Sequence, residues 1–287
     1  MVVGGSGKTP VVAALAELLT TAGHRPAILS RGYRRRSTGL IVVSDGAGPR
    51  VGVDESGDEP QMLARDLVGV PVIVAADRSH AGRVAIERFD STVLILDDGF
   101  QHLQLERTVD LLVLSSADLR ETVLPSGRLR EPLSAARMAD AVLAYGSASA
   151  AQQLGATVGV ARAYGVSTRY LPLRSLSASG TLPPSTRIAV AAGIARPERV
   201  FDALRQLGHD IAHERVFPDH HWFTAADVRD VEGAARASGA VGVVTTAKDA
   251  VRLERHRDVM TLAWAILPMR VSIEPGVEFE SWLRQRL

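Results

Sequence analysis

Gly4-Gly5-Ser6-Gly7-Lys8-Thr9 stands near the start of the chain, after Val2-Val3 and ahead of an apolar pattern with helical spacing. Glycines let backbone N–H groups converge on phosphate oxygens, Lys8 reaches the outer phosphates of a nucleotide, and the Thr9 hydroxyl is a ligand for Mg²⁺. The stricter form of such a loop carries a further glycine where this chain has Val2. Farther on, Val93-Leu94-Ile95-Leu96 runs into Asp97-Asp98. That is an apolar strand delivering two carboxylates to a sheet edge, from which an acid holds the magnesium of a bound nucleotide. Together these parts suggest nucleotide hydrolysis or phosphoryl transfer, with ATP and Mg²⁺ as the small molecules.

Transfer to an alcohol also needs a group to take the hydroxyl proton. Gly57-Asp58-Glu59-Pro60 opens a helix, and there Asp58 reads either as the helix N-cap or as that proton acceptor. Asp219-His220-His221 reads either as a surface loop or as an imidazole that orients such an acid.

The elements that must position these groups alternate in the first half. Strands are expected at 26–30, 40–44, 71–75, 92–96, 110–114 and 141–144, with helices at 10–22, 59–67 and 79–88. Short apolar strands with intervening helices imply a parallel sheet covered on both faces. The stretch 147–186 is small, polar and irregular and reads as a linker or crossing hairpin. A second α/β set follows, with strands at 187–191, 211–216, 241–245 and 260–265 and helices at 197–207, 225–238 and 247–256. The expected fold is therefore α/β: a P-loop NTPase-like parallel sheet over 1–146, the linker over 147–186, and a smaller C-terminal α/β portion over 187–287.

A chain of 287 residues, 46% hydrophobic and 23% charged, can bury a sizeable core. Its 33 basic and 32 acidic residues nearly cancel, so no overall field argues for a nucleic-acid partner. Cysteine is absent, which removes thiol catalysis and cysteine metal sites. No window approaches the roughly 18 consecutive apolar residues of a membrane span. The opening at Met1-Val2-Val3 gives a first strand shorter than the usual five to six residues, from which upstream sequence is expected to be missing.

Eight segments resemble the tetraacyldisaccharide 4'-kinase family, the kinases of the lipid A disaccharide, and they stand in order along nearly the whole chain. They are Gly4 to Pro10, Ser30-Arg31-Gly32-Tyr33, Gly57-Asp58-Glu59-Pro60, Asp77-Arg78, Asp97-Asp98-Gly99-Phe100-Gln101-His102, Pro125 to Pro132, Phe217-Pro218-Asp219-His220-His221 and Thr245-Thr246-Ala247-Lys248-Asp249-Ala250-Val251. The resemblance implies ATP-dependent phosphorylation of the 4' hydroxyl of a tetraacylated glucosamine disaccharide 1-phosphate. It makes Asp58 the catalytic aspartate and His220 its partner. Gly4, Gly5, Ser6, Gly7, Lys8 and Thr9 would hold the nucleotide, and Thr9, Asp98, Glu131 and the neighbouring Asp97 the Mg²⁺. Arg31, Tyr33, Arg78 and Arg130 would lie around the phosphate and disaccharide. It also implies a lipid partner and peripheral contact with the cytoplasmic face of the bacterial inner membrane. Family members carry a hydrophobic helix ahead of the glycine loop, so the resemblance implies that such a segment is missing from this sequence. The alternative is a P-loop nucleotide switch or metallochaperone acting on a protein partner.

Overall fold

The computed structural model describes residues 7–102, 104–177 and 180–287. Gly4, Gly5 and Ser6, and the strand read at Val2-Val3, lie outside the described residues.

Three sheets organise the described residues. In the first, Pro26–Ser30 runs parallel to Pro71–Val74 on one side and to Val93–Leu96 on the other, and Ile41–Asp45 closes one edge antiparallel. In the second, Leu111–Leu114, Ala141–Tyr145 and Ala163–Tyr170 are parallel, and Met269–Glu274 pairs antiparallel with the last of them. The third carries the parallel strands Asp210–Val216, Arg187–Ala192, Gly242–Thr246 and Ala263–Leu267, with Arg174–Ser175 antiparallel at its edge. Continuous burial along Pro26–Ser30, Pro71–Val74 and Gly242–Thr246 is what a parallel strand covered on both faces requires.

Two differences from the sequence reading bear on the site. The stretch 147–186 holds the helix Ala148–Val158, capped by the Ser147 hydroxyl, and the eight-residue strand Ala163–Tyr170. The helix buries Ala151, Leu154, Gly155 and Val158, an i, i+3, i+4, i+7 face made partly of residues too small to stand out in a hydropathy pattern. The chain's last elements also leave the third sheet. Met269–Glu274 and the helix Gly276–Arg284 place Ile273, Phe279, Trp282 and Leu283 in one core with Val11, Leu15 and Leu19 of the first helix, Lys8–Thr21. Smaller shifts are the strand Ala263–Leu267, expected at 260–265, and the helix Ala247–Leu253, which continues as a tighter 3₁₀ turn over Glu254–Val259.

The first and third sheets meet through the helix Asp58–Asp66, which packs against Ala247–Leu253. Ion pairs Arg65–Glu254 and Arg255–Asp54 flank that contact. Trp222 is held between the guanidinium groups of Arg36 and Arg255, 5.2 and 5.0 Å from its ring, an arrangement favoured by the ring quadrupole.

Candidate active site

Parallel strands deliver their following loops to one edge, and both α/β portions use that edge. In the first, Arg31 follows Pro26–Ser30, Arg78 follows Pro71–Val74 and Asp97-Asp98 follow Val93–Leu96. In the third sheet, Gly193 follows Arg187–Ala192, Asp219-His220-His221 follow Asp210–Val216, and Lys248 and Arg252 follow Gly242–Thr246. This is where ligands bind in open α/β sheets.

The helix bearing Asp58 begins with Gly57 as its cap, at φ 84°. A Cβ at Gly57 would stand 2.9 Å from the Tyr33 carbonyl oxygen, so only glycine fits. Asp58 is therefore the first helical residue, not the cap, and its carboxylate turns to other partners. His220 Nδ1 lies 2.7 Å from Asp58 Oδ2 across 162 positions of sequence. Arg252 Nε donates to Asp58 Oδ1 at 2.6 Å, and a second nitrogen of the same guanidinium reaches Oδ2. Arg252 is 1% exposed and Asp58 6%. A fork-on-carboxylate pair with both partners out of water is strong when intact and costly when broken.

Arg252 was missed in the sequence. Its signal was there: Lys248 and Arg252 stand four apart, on one side of a helix buried over Asp249–Leu253, and two cations on such a face require acids across it.

The tautomer of His220 follows from its neighbours. Arg252 lies 3.2 Å from Nδ1, but arginine only donates, and the shorter contact to a carboxylate decides that Nδ1 carries the proton and donates to Asp58. Nε2 is then the acceptor, 3.2 Å from Lys248 Nζ, which also bonds Asp219 Oδ1 at 3.0 Å. Burial first, then the Lys248 charge, holds the His220 pKa below 6.5. His220 also sits in the left-handed region, at φ 63°, strain kept where the surroundings over-determine the loop. Tyr33, 58% exposed, meets the imidazole edge-on at 5.6 Å.

A pH signature follows. The folded state binds fewer protons at His220 than the unfolded state does, so its stabilisation is complete above 6.5 and is lost as pH falls through the lowered value. Denaturation midpoints of His220→Asn are expected to fall less steeply than the parent's between about pH 7 and 5. Parallel slopes would remove His220 as the source.

On the first sheet's edge, Lys8 Nζ lies 3.0 Å from Asp98 Oδ1, and Arg130 donates to Asp98 Oδ2 at 2.7 Å and to Gln101 Oε1 at 3.1 Å. Burial alone would raise the Asp98 pKa, but Lys8 and Arg130 outweigh it and hold it below the usual range. Asp97, 2% exposed, goes the other way. Burial, then the charges of Glu59 and Asp98, push it up to about 7. Arg78 is buried, donates to the Ala75 and Ala76 carbonyls at 2.8 and 2.9 Å, and feels the charges of Arg31, Asp97 and Asp98. Thr9 is buried beside Lys8 in the first helical turn, and Glu131, half-buried, follows Arg130. Glu59 links the two clusters, since its charge reaches both the Asp97 carboxyl and the His220 ring.

Two neighbouring residues serve the fold. His221 stacks on Phe217 at 4.7 Å and bonds Asp227 in the cap of the helix Ala225–Ala237. Asp249, fully buried, accepts from Gly193 N–H at 2.9 Å and from the Thr246 hydroxyl at 2.7 Å, which settles it as a helix-start acid.

The whole chain, residues 1–287, matches the family model described as tetraacyldisaccharide-1-P 4'-kinase. Over 267 residues it is 42% identical to the tetraacyldisaccharide 4'-kinase of Anaeromyxobacter dehalogenans (strain 2CP-C), covering 88% of this chain and 71% of that one. The enzyme of the same name from Syntrophus aciditrophicus is 36% identical over 298 residues, covering 96% and 79%. Among solved structures, "apo" form LpxK from Aquifex aeolicus in complex with ATP superposes with a TM-score of 0.77 at 30% identity, covering all of this chain and 86% of that one. The ordered motifs, the two facing sheet edges and these relatives agree: the chain belongs to the tetraacyldisaccharide-1-P 4'-kinase family.

Proposed function

We propose that this chain carries out its family's reaction through Asp58: transfer of the γ-phosphoryl group of ATP to the 4' hydroxyl of a tetraacylated glucosamine disaccharide 1-phosphate. Family membership disfavours the nucleotide-switch reading. One observation carries the assignment of roles: the Asp58–His220 hydrogen bond that joins the two sheet edges. With Nε2 engaged by Lys248, His220 has no free lone pair for a sugar hydroxyl. Asp58 Oδ2 is taken up by His220 and Arg252, whereas Oδ1 accepts from Arg252 Nε and keeps a second lone pair, so Asp58 takes the proton and His220 orients it. Arg252 and His220 fix the Asp58 carboxylate in place. That suffices for a loose phosphoryl-transfer transition state, in which alignment outweighs basicity.

Gly4, Gly5, Ser6, Gly7 and Lys8 would cradle the phosphates. Lys8, Arg130, Arg78 and Arg31 would neutralise the charge spread over the transferring group, and Tyr33, at the exposed mouth, would meet the sugar. Mg²⁺ fits the first edge. Asp97 is a buried carboxylate crowded by two like charges, Asp98 follows it, and Thr9 and Glu131 would supply further oxygen donors. Among the described residues no cluster of three or more acids or histidines forms an all-protein cage, and none is required, because Mg²⁺ keeps waters and takes one or two carboxylates plus substrate phosphates. When bound it would offset charge on the β- and γ-phosphate oxygens.

No helix among the described residues is long and apolar enough to cross a membrane. An acylated substrate nonetheless stays in a bilayer, since each CH₂ brought into water costs about 0.8 kcal/mol. The chain would therefore work in peripheral contact with the inner membrane, on its cytoplasmic face.

The test is transfer of labelled γ-phosphate from ATP to tetraacyldisaccharide 1-phosphate in detergent micelles. Asp58→Asn is expected to lower kcat about 10²- to 10⁴-fold with the KM for ATP little changed. Equal rates for parent and variant would exclude Asp58 as the base.

A further inference from the structure

Trp222 stands two positions beyond His220, half-buried, with the guanidinium groups of Arg36 and Arg255 over its ring at 5.2 and 5.0 Å. Two like charges gathered on one residue repel each other, so the surroundings must offset them. The ring quadrupole does so in part. Asp54 supplies the rest: its Oδ2 pairs with Arg255 at 3.1 Å, and its carbonyl oxygen accepts the Arg36 backbone N–H at 2.7 Å. Arg36, Asp54, Trp222 and Arg255 thus close into one cluster, and none of the four lies within the motifs that mark the family.

The place of the cluster relates it to the reaction. Asp58, His220 and Arg252 come from three segments, and each segment reaches the cluster a few residues away. Trp222 is two positions after His220, Arg255 three after Arg252, and Asp54 four before Asp58. A fourth segment joins them: Tyr33 meets the His220 imidazole edge-on, its carbonyl lies against Gly57, and Arg36 follows it by three positions. Asp58 hangs from a glycine, and His220 sits at a strained φ of 63°, so neither loop is fixed by its own backbone preference. The inner contact among Asp58, His220 and Arg252 sets where the segments meet. A second contact farther along each of them sets the angle at which they meet.

We propose that Trp222 is a positioning residue for phosphoryl transfer: clasped by Arg36 and Arg255, it holds the two sheet edges at the angle that keeps the His220 imidazole on the Asp58 carboxylate. Misalignment at that hydrogen bond turns the Asp58 carboxylate away from the acceptor hydroxyl, and small misplacements are costly where catalysis is mostly positioning. The inference rests on the reading of Asp58 as the proton acceptor, but the alignment exists without substrate and is measured without it.

The experiment compares Trp222→Leu, Arg36→Gln and Arg36→Lys with the parent, in the lipid kinase assay and by proton NMR of the unliganded chain. Leucine keeps apolar bulk and loses the π face. Glutamine removes the cation from an exposed position that the fold tolerates, and lysine restores it. Trp222→Leu and Arg36→Gln are expected to lower kcat per folded molecule roughly five- to thirtyfold, the population shift that contacts of this strength carry. The KM for ATP should not change, because the phosphate loop lies on the other edge. Arg36→Lys should recover most of the loss. The low-field Nδ1 proton of His220, assigned by its disappearance in His220→Asn, should be sharp in the parent and in Arg36→Lys, and should broaden or move upfield in the other two. Parent kcat in Trp222→Leu, a fall that only follows the folded fraction, or an unchanged Nδ1 resonance in Arg36→Gln would overturn the proposal, as would Arg36→Lys behaving like Arg36→Gln. A parent that labels no lipid would remove the kinase reading, and a resonance lost in Arg36→Gln and restored in Arg36→Lys would still uphold the clasp.

Discussion

Arg252→Met is expected to lower kcat at least a hundredfold and to destabilise the chain by about 3–5 kcal/mol, although Arg252 belongs to none of the motifs that mark the family. The stability loss comes from Asp58, a carboxylate left buried without its fork of donors. The catalytic loss comes from the same atom pair. Nε and a terminal nitrogen of Arg252 hold both Asp58 oxygens, which fixes the plane from which the proton is taken. A purely structural role predicts a different pattern, so the readouts must separate the two. A loss of alignment lowers the rate per folded molecule at unchanged KM for ATP, so kcat is read against the folded fraction of the same sample. Arg252→Lys keeps the charge without the fork, and should recover most of the stability but only part of kcat. In Arg252→Met combined with Asp58→Asn the orphaned charge is gone, and stability should return toward the parent's while activity stays lost. Activity falling only in proportion to the folded fraction would reduce Arg252 to scaffolding.

Arg252 also shows where sequence reading stops. The placement of Asp97-Asp98 was legible because its signal is local: an apolar strand, Val93–Leu96, followed at once by two acids. The strands around them were legible for the same reason, since full burial leaves continuous apolar runs. Asp58 was ambiguous because a helix start explains an acid by itself. Only the cap at Gly57 and the contact with His220, 162 positions away, remove that ambiguity. The family resemblance paired Asp58 with His220, but it did not give the tautomer. That depends on Lys248 and Arg252, which reach the ring from a third segment. Residues 147–186 misled for a different reason. Ala151 and Gly155 bury a helix face without looking hydrophobic, and Ala163–Tyr170 is buried only over Tyr164–Val166, with one of its two partners, Met269–Glu274, about a hundred positions downstream.

Asp97→Asn is expected to stabilise the unliganded chain and nearly abolish transfer. Asp97 is 2% exposed and stands among the charges of Glu59 and Asp98, with its pKa pushed up to about 7. Near neutral pH much of the population therefore bears a carboxylate that the fold, taken alone, would rather have neutral. A carboxamide has nearly the same shape and no charge, so it relieves both desolvation and repulsion, a gain of about 1–3 kcal/mol at pH 8. The gain should shrink as pH falls. Below about 7 Asp97 is increasingly protonated in the folded parent, which binds the proton more tightly than the unfolded chain and so recovers stability by itself. Magnesium supplies the converse test. If the crowding of Asp97 is the feature that receives the cation, Mg·ATP should raise the parent's Tm by more than it raises that of Asp97→Asn, and the variant's advantage should narrow or reverse. A variant that is less stable than the parent at every pH, or that gains as much from Mg·ATP, would mean that Asp97 is held by hydrogen bonds that its neutral analogue cannot make. A variant that is more stable and inactive would make the strained carboxylate a cost that the fold carries for the reaction.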